Sequence, residues 1–280
     1  MCISPLTLKR NYKTRQGDVT QVVPCGKCME CLGRRRNAWS FRLYHQMMHS
    51  DSAYFMTLTY GYDEKRGYGV DPPLSFNGLE TLRKKDVQDF MKRLRKYCKT
   101  HYGQDNPLKY YLCGEYGSKH LRPHYHAILF NLPRGLALRS QTVGSEIWKN
   151  GSVDIAICNI ATINYVVGYV IKGAWEPQED FDDRIPEFSM MSKKLGSQYL
   201  TEQIYEMHLD RMETSVIHPA GFRMPLPRYY REKIFSREER KELEEIRILM
   251  NRMNWQEFAN YDFGNQVQYK NEKIRKHQKK

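Results

Sequence analysis

The order in which hydrophobic periods change along this chain constrains its fold most. Ala53 to Tyr60 alternates over β-branched and aromatic residues and reads as a strand. Leu82 to Cys98 has the helical period, with Val87, Phe90, Met91 and Leu94 inward and a basic outer face. Leu108 to Tyr116 and Pro123 to Phe130 return to the strand period as two arms of a hairpin around Gly117 to Leu121. Val153 to Ile157 is a further short strand, and Ala161 to Lys172 a helix that Gly173 would stop. The order β-α-β-β-(α)-β-α lacks the strict alternation of a parallel sheet. It predicts an α+β domain, an antiparallel β-sheet with flanking helices on one or both faces.

The flanking segments are read differently. Up to Gly33 the chain has little apolar periodicity and looks like a loop-rich module organised by cysteines. From Arg34 a helix is expected, because Trp39, Leu43 and Met47 form one stripe. Its opening Arg34-Arg35-Arg36 is unfavourable for the helix dipole, which assigns those arginines to another purpose, phosphate contact. Beyond the sheet come an acid-rich loop (Glu176 to Glu187), a mixed helical region and a long C-terminal helix. That helix starts at Ser236, with Glu239 completing a capping box. The expected division is a Cys-rich N-terminal module at 1–33, a central domain at 34–175, and a C-terminal helical extension with a basic tail (Lys270 to Lys280) at 176–280.

The chain of 280 residues carries a net charge of +13, with 20 tyrosines and 11 phenylalanines. Such a surface attracts polyanions, and aromatic faces can stack unpaired bases, so nucleic acid leads over a basic protein with no such role. No stretch reaches the roughly 18 apolar residues of a membrane span. The N-terminus lacks the pattern of a signal peptide, and a cytoplasmic location with no membrane contact is expected. Seven cysteines, an odd number without an export signal, argue against a disulfide framework. Cys98, Cys113 and Cys158 sit among apolar residues and read as buried thiols.

Three clusters carry chemistry. In Arg122-Pro123-His124-Tyr125-His126, a strand would present two imidazoles on one face, either as a chelate for a divalent ion or as a half-buried pair in a sheet. A hairpin symmetric about Lys119 and His120 would bring Glu115 opposite His124, giving a three-ligand site suited to Mg²⁺ or Mn²⁺; the bland reading of Glu115 is a solvated strand-end acid. On a helix, Tyr165, Tyr169 and Lys172 share one face. They read as two nucleophiles and a phosphate-binding cation, or as packing residues. Cys2 with Cys25-x-x-Cys28-x-x-Cys31 offers four thiolates, enough for a closed structural Zn²⁺ site; a [4Fe–4S] cluster or free thiols are the alternatives. A phosphate-binding loop of the G-x-x-x-x-G-K-[ST] type is absent from this sequence, so strand unwinding is assigned to a partner.

Taken together, Phe55-Met56-Thr57-Leu58-Thr59-Tyr60, Gly114-Glu115-Tyr116-Gly117, Pro123-His124-Tyr125-His126 and Tyr165 to Lys172 resemble the motif series of the HUH endonucleases. Within them the chain most resembles the replication initiators of microviruses, the gokushovirus-like single-stranded DNA phages. The resemblance covers residues 1 to 172. It implies a rolling-circle initiator that nicks and rejoins single-stranded DNA through a 5′-phosphotyrosine. His124, His126 and Glu115 would hold the metal, Tyr165 and Tyr169 would cut and rejoin, and Lys172 would close the tyrosine motif. A single-stranded origin, a host helicase and a polymerase would be its partners, in the host bacterial cytoplasm if phage-encoded. Two departures stand out: Gly168 occupies a position where such initiators often carry lysine, and Met190 to Leu200 matches the downstream segment only loosely. The rival readings are an HUH transposase or relaxase, a zinc-braced single-strand binder without catalysis, and a metal-dependent nuclease that uses water.

Overall fold

In chain order the first elements are β1 (Leu6–Thr14), β2 (Gly17–Val23), α1 (Met29–Met48), β3 (Ala53–Thr59), α2 (Lys84–Tyr102), β4 (Lys109–Tyr116) and β5 (Pro123–Phe130). Two short helical turns, α3 (Arg134–Ala137) and α4 (Ser140–Thr142), lead into a π-helical turn at Val143–Trp148, then β6 (Val153–Ile157), α5 (Ile160–Gly168) and β7 (Phe188–Met191). This computed structural model describes residues 2–14, 17–62, 64, 67–103, 107–169 and 181–243. These elements belong to one unit, Met1–Ser197; a second unit is Gln198–Lys280.

The central sheet has five strands in the order β6-β3-β5-β4-β7, every neighbouring pair antiparallel. Alternation along β5 sorts its side chains to two faces. Tyr125, Ala127 and Leu129 point to one core, with Leu58, Leu112, Trp148 and the α2 residues Val87, Phe90, Met91 and Leu94. Ile128 and Phe130 point to the other, with Leu43 of α1, Tyr111, and Ile163, Val166 and Val167 of α5; Trp39 and Met47 pack on its edge. The expected α1 stripe therefore faces the sheet. The α2 side is pinned by a buried polar chain: Tyr60 donates to Asp86 at 2.7 Å, and its hydroxyl meets that of Tyr125 at 2.8 Å. Such a satisfied network fixes the angle at which α2 sits. Cys98, Cys113 and Cys158 are buried, as expected, and burial pushes the Cys98 and Cys158 thiols up to about 11.

The structure corrects the flanks. The N-terminal segment is no loop-rich module: β1 and β2 form an antiparallel hairpin with a bulge between Lys9 and Lys13. Helix α1 starts at Met29, five residues ahead of the expected Arg34. Arg34, Arg35 and Arg36 thus lie past its first turn, where the dipole no longer opposes them. Residues 188–191, read as part of a mixed helical region, add an edge strand against Tyr111–Gly114. Residues 170–180, with Lys172 and the expected Gly173 stop, lie outside the described residues, as does the basic tail.

The second unit holds α6 (Glu202–Asp210), a two-stranded pair of β8 (Ser215–Ile217) and β9 (Arg223–Pro225), and α7 (Arg228–Ile234). That pair was not expected from the sequence. The capping box is present: Ser236 N–H donates to Glu239 Oε2 at 2.7 Å, and Glu239 N–H to Ser236 Oγ at 3.2 Å, with helix at 237–243. No helix among the described residues is long and apolar enough to cross a membrane.

Candidate metal centre and nucleophile site

The β4–β5 hairpin builds the site. Gly117 N–H donates to the Arg122 carbonyl and Leu121 N–H to the Gly117 carbonyl, closing the turn. This closure fixes the register Glu115↔His124 and Cys113↔His126, the pairing expected for Glu115. His124 and His126 share a face of β5, and Thr57 of β3 lies opposite His126. Both Nε2 atoms converge on one carboxylate oxygen: His124 at 2.6 Å and His126 at 3.0 Å from Glu115 Oε1. Glu115 and His126 are buried, whereas His124 is partly open. The three donor atoms lie within 4.8 Å of one another, a spacing that can hold a metal ion.

The rings are oriented from behind. His124 Nδ1 lies 3.1 Å from the Arg122 carbonyl, which can only accept, so Nδ1 carries a proton. In the neutral ring Nε2 then presents a bare lone pair to a carboxylate, an arrangement that needs a proton or a cation between them. His126 Nδ1 meets Thr57 Oγ1 at 3.1 Å. Burial pulls the His124 pKa down, but the Glu115 hydrogen bond, the Arg122 carbonyl and the charges of Glu115 and Glu187 outweigh it, leaving it above the ordinary value. Burial likewise pushes the Glu115 carboxyl up, and the two imidazoles more than reverse this, holding it below the usual carboxylate range.

Helix α5 brings the tyrosines to the same place. Asn159 starts it with a capping box, its side chain accepting Thr162 N–H at 2.9 Å while Thr162 Oγ1 accepts Asn159 N–H at 2.9 Å. Ser40 of α1 donates to Asn164 at 2.6 Å, holding the turn beside Tyr165. The His126 ring stacks with Tyr169 at 5.6 Å and with Phe55 at 5.4 Å, and meets Tyr165 edge-on at 5.3 Å. The phenols differ: Tyr165 is 51% exposed and Tyr169 only 9%. Burial, a hydrogen bond with Tyr165 and the Glu115 charge push the Tyr169 phenol far above its ordinary range.

The structure thus brings together Glu115, His124, His126, Tyr165 and Tyr169, while Lys172 lies outside the described residues. Arg122 is exposed, its guanidinium donating to the Tyr60 carbonyl at 3.2 Å. Arg34, Arg35 and Arg36 are exposed along α1. One group escaped sequence reasoning. Glu187, just ahead of β7, accepts Tyr116 N–H at 3.2 Å, and its charge acts on His124. The alternation of Glu187, Phe188, Ser189 and Met190 was the available signal. The Sγ atoms of Cys2, Cys25, Cys28 and Cys31 form a second cluster, also within 4.8 Å.

Comparison with known proteins agrees with this geometry. Residues 53–174, from β3 through α5, match the family model of replication-associated proteins of the ORF2 type. Three viral proteins are similar to the chain. The replication-associated protein VP4 of Bdellovibrio phage phiMH2K is 28% identical over 222 residues, 75% of this chain and 66% of that protein. Replication-associated protein ORF2 of Spiroplasma virus 4 is 27% identical, over 76% of this chain and 67% of that protein. For replication-associated protein ORF4 of Chlamydia phage 1 the identity is 29%, and the match spans 75% of this chain but only 53% of the relative. No solved structure matches.

Proposed function

We propose that this chain is a rolling-circle replication initiator that nicks and rejoins single-stranded DNA with a tyrosine nucleophile. The observation that carries the reading is the meeting of Tyr165 and Tyr169 on the ring of His126, whose Nε2 faces Glu115. The donor set fits a hard divalent ion with positions left open, and Glu115, His124 and His126 would hold it. Such an ion, Mg²⁺ or Mn²⁺, would draw charge from the scissile phosphate. In the cut, a tyrosine Oη forms a bond to phosphorus, the bond from phosphorus to O3′ breaks, and the phenol proton leaves to solvent as the 3′-oxygen takes one up. A 5′-phosphotyrosine and a free 3′-hydroxyl result. Rejoining reverses this, with a 3′-hydroxyl attacking phosphorus and the phenol departing. The second tyrosine allows one strand end to be held while another is cut. Arg122, Arg34 to Arg36 and Lys172 are the cations for the DNA backbone. Residues 34–175 would be the nicking domain, and a host helicase and polymerase would complete replication.

The test is to incubate the protein with Mn²⁺ and a 3′-end-labelled pool of single-stranded oligonucleotides. Label should travel with the denatured protein and stay behind in the Tyr165→Phe/Tyr169→Phe variant. Cleavage without an adduct would identify a nuclease that uses water, and binding without cleavage a passive binder; either outcome overturns the proposal.

A further inference from the structure

The N-terminal hairpin poses a question that the nicking site does not answer. Strands β1 and β2 pair only with each other. Among the residues from 2 to 30 whose burial is described, none is buried, and Leu6, Leu8 and Val22 are 50%, 50% and 67% exposed. A two-stranded hairpin without a core is marginal in water. What fixes its base is the cysteine cluster: Cys2 precedes β1, Cys25 follows β2, Cys28 caps α1 and Cys31 lies in its first turn.

We propose that Cys2, Cys25, Cys28 and Cys31 bind one Zn²⁺ as a closed tetrathiolate, a structural clamp that ties the base of the hairpin to the start of α1. Cys2 Sγ lies 3.5 Å from Cys25 Sγ and 3.8 Å from Cys28 Sγ. A Zn–S bond of about 2.3 Å in a tetrahedron spaces its sulfurs by about 3.8 Å. Disulfide sulfurs bond at about 2.0 Å, so these four remain separate thiols. A cubane iron–sulfur cluster gives each thiolate its own iron and holds the four well outside this spacing. A single iron would fit the tetrahedron, but its use is electron transfer, and phosphoryl transfer moves no electrons.

The local backbone favours thiolates. Cys25 N–H donates to Cys2 Sγ and Cys28 N–H to Cys25 Sγ, each at 3.3 Å. Gly26, at φ +76°, supplies the left-handed turn between Cys25 and Cys28. Cys28 also stands at the positive end of the α1 dipole, where anionic sulfur is stabilised. All four protein positions are filled by sulfur, which leaves no place for substrate.

Metal analysis of the full purified chain should give one zinc per chain. Replacement by Co²⁺ should yield the charge-transfer and ligand-field bands of tetrahedral thiolate coordination. The His124→Ala/His126→Ala variant should keep that zinc and lose DNA nicking, so the two sites fail independently. The Cys2→Ser/Cys28→Ser variant should lose about tenfold or more of its zinc, and its segment 3–24 should become open to protease. If that variant does not fold, the cobalt spectrum of the wild-type chain still decides. Iron in place of zinc, a chain without metal, or a cobalt spectrum lacking thiolate bands would each overturn the clamp.

Discussion

At the scale of single residues, the two tyrosines are inequivalent. Tyr165 is half exposed at the edge of the His126 ring, while Tyr169 is stacked beneath it and held protonated by burial and by Tyr165. A phenol that must shed its proton into an incoming phosphate is better served at the open position. Tyr165→Phe should therefore lower first-round adduct formation by on the order of 10³-fold or more, whereas Tyr169→Phe should keep the first adduct and lose strand rejoining. Single-turnover gels would test this, and the reverse pattern would sink it. The triad also sets a pH dependence. His124 has a raised folded pKa, so its ion pair with Glu115 stabilises the metal-free chain fully below the unfolded value near 6.5 and is lost as pH rises through the folded value. Glu115 has a lowered folded pKa, so its contribution is present above about 4.3 and lost as pH falls through the folded value. A cation competes with the His124 proton, so the thermal shift given by Mn²⁺ should grow as pH rises through the raised His124 pKa. A shift that is flat with pH, or unchanged in His124→Ala, would contradict this.

Among the elements, α5 carries the nucleophiles, and its two ends should respond oppositely. Asn159→Ala removes the cap and should cost about 1 kcal/mol. Gly168→Ala adds a Cβ that meets nothing within 4 Å on ordinary helical backbone, and should gain about 0.5–1 kcal/mol. Urea unfolding of both variants measures this; a stabilising Asn159→Ala would refute the capping account. The strands were legible in sequence where one face is buried: in β5, Tyr125 and Ala127 alternate with His124 and His126, so period and register are forced together. Glu115 followed from that register. The β1–β2 hairpin was not legible, because Leu6, Leu8 and Val22 stand exposed and no buried face enforces a sustained alternation on them. The start of α1 was hidden for a related reason: cysteines rather than a capping side chain occupy its first turn. Edge strand β7, only four residues long, offered too short a period, and Glu187 was missed with it.

For the whole molecule, charge and site act at different distances. The metal centre reaches only the phosphate in contact, whereas a net charge of +13 acts over the whole strand approaching it. Arg34, Arg35 and Arg36 lie exposed on the helix whose Ser40 is bonded to Asn164, the neighbour of Tyr165. That arrangement assigns them to the backbone leading into the site rather than to the scissile bond. Each single-strand phosphate neutralised contributes about 0.7 to the slope of log affinity against log salt. Arg34→Ala/Arg35→Ala/Arg36→Ala should therefore flatten the slope by about 2, while leaving stability within about 0.5 kcal/mol because the side chains are exposed. Fluorescence anisotropy with a single-stranded oligonucleotide over a salt series, in the Tyr165→Phe/Tyr169→Phe background to prevent cleavage, measures the slope. An unchanged slope with weaker nicking would place these arginines outside the DNA path. A flattened slope, with near-normal cutting of saturating DNA at low salt, is the result expected of a basic track that delivers strand to a separate catalytic centre.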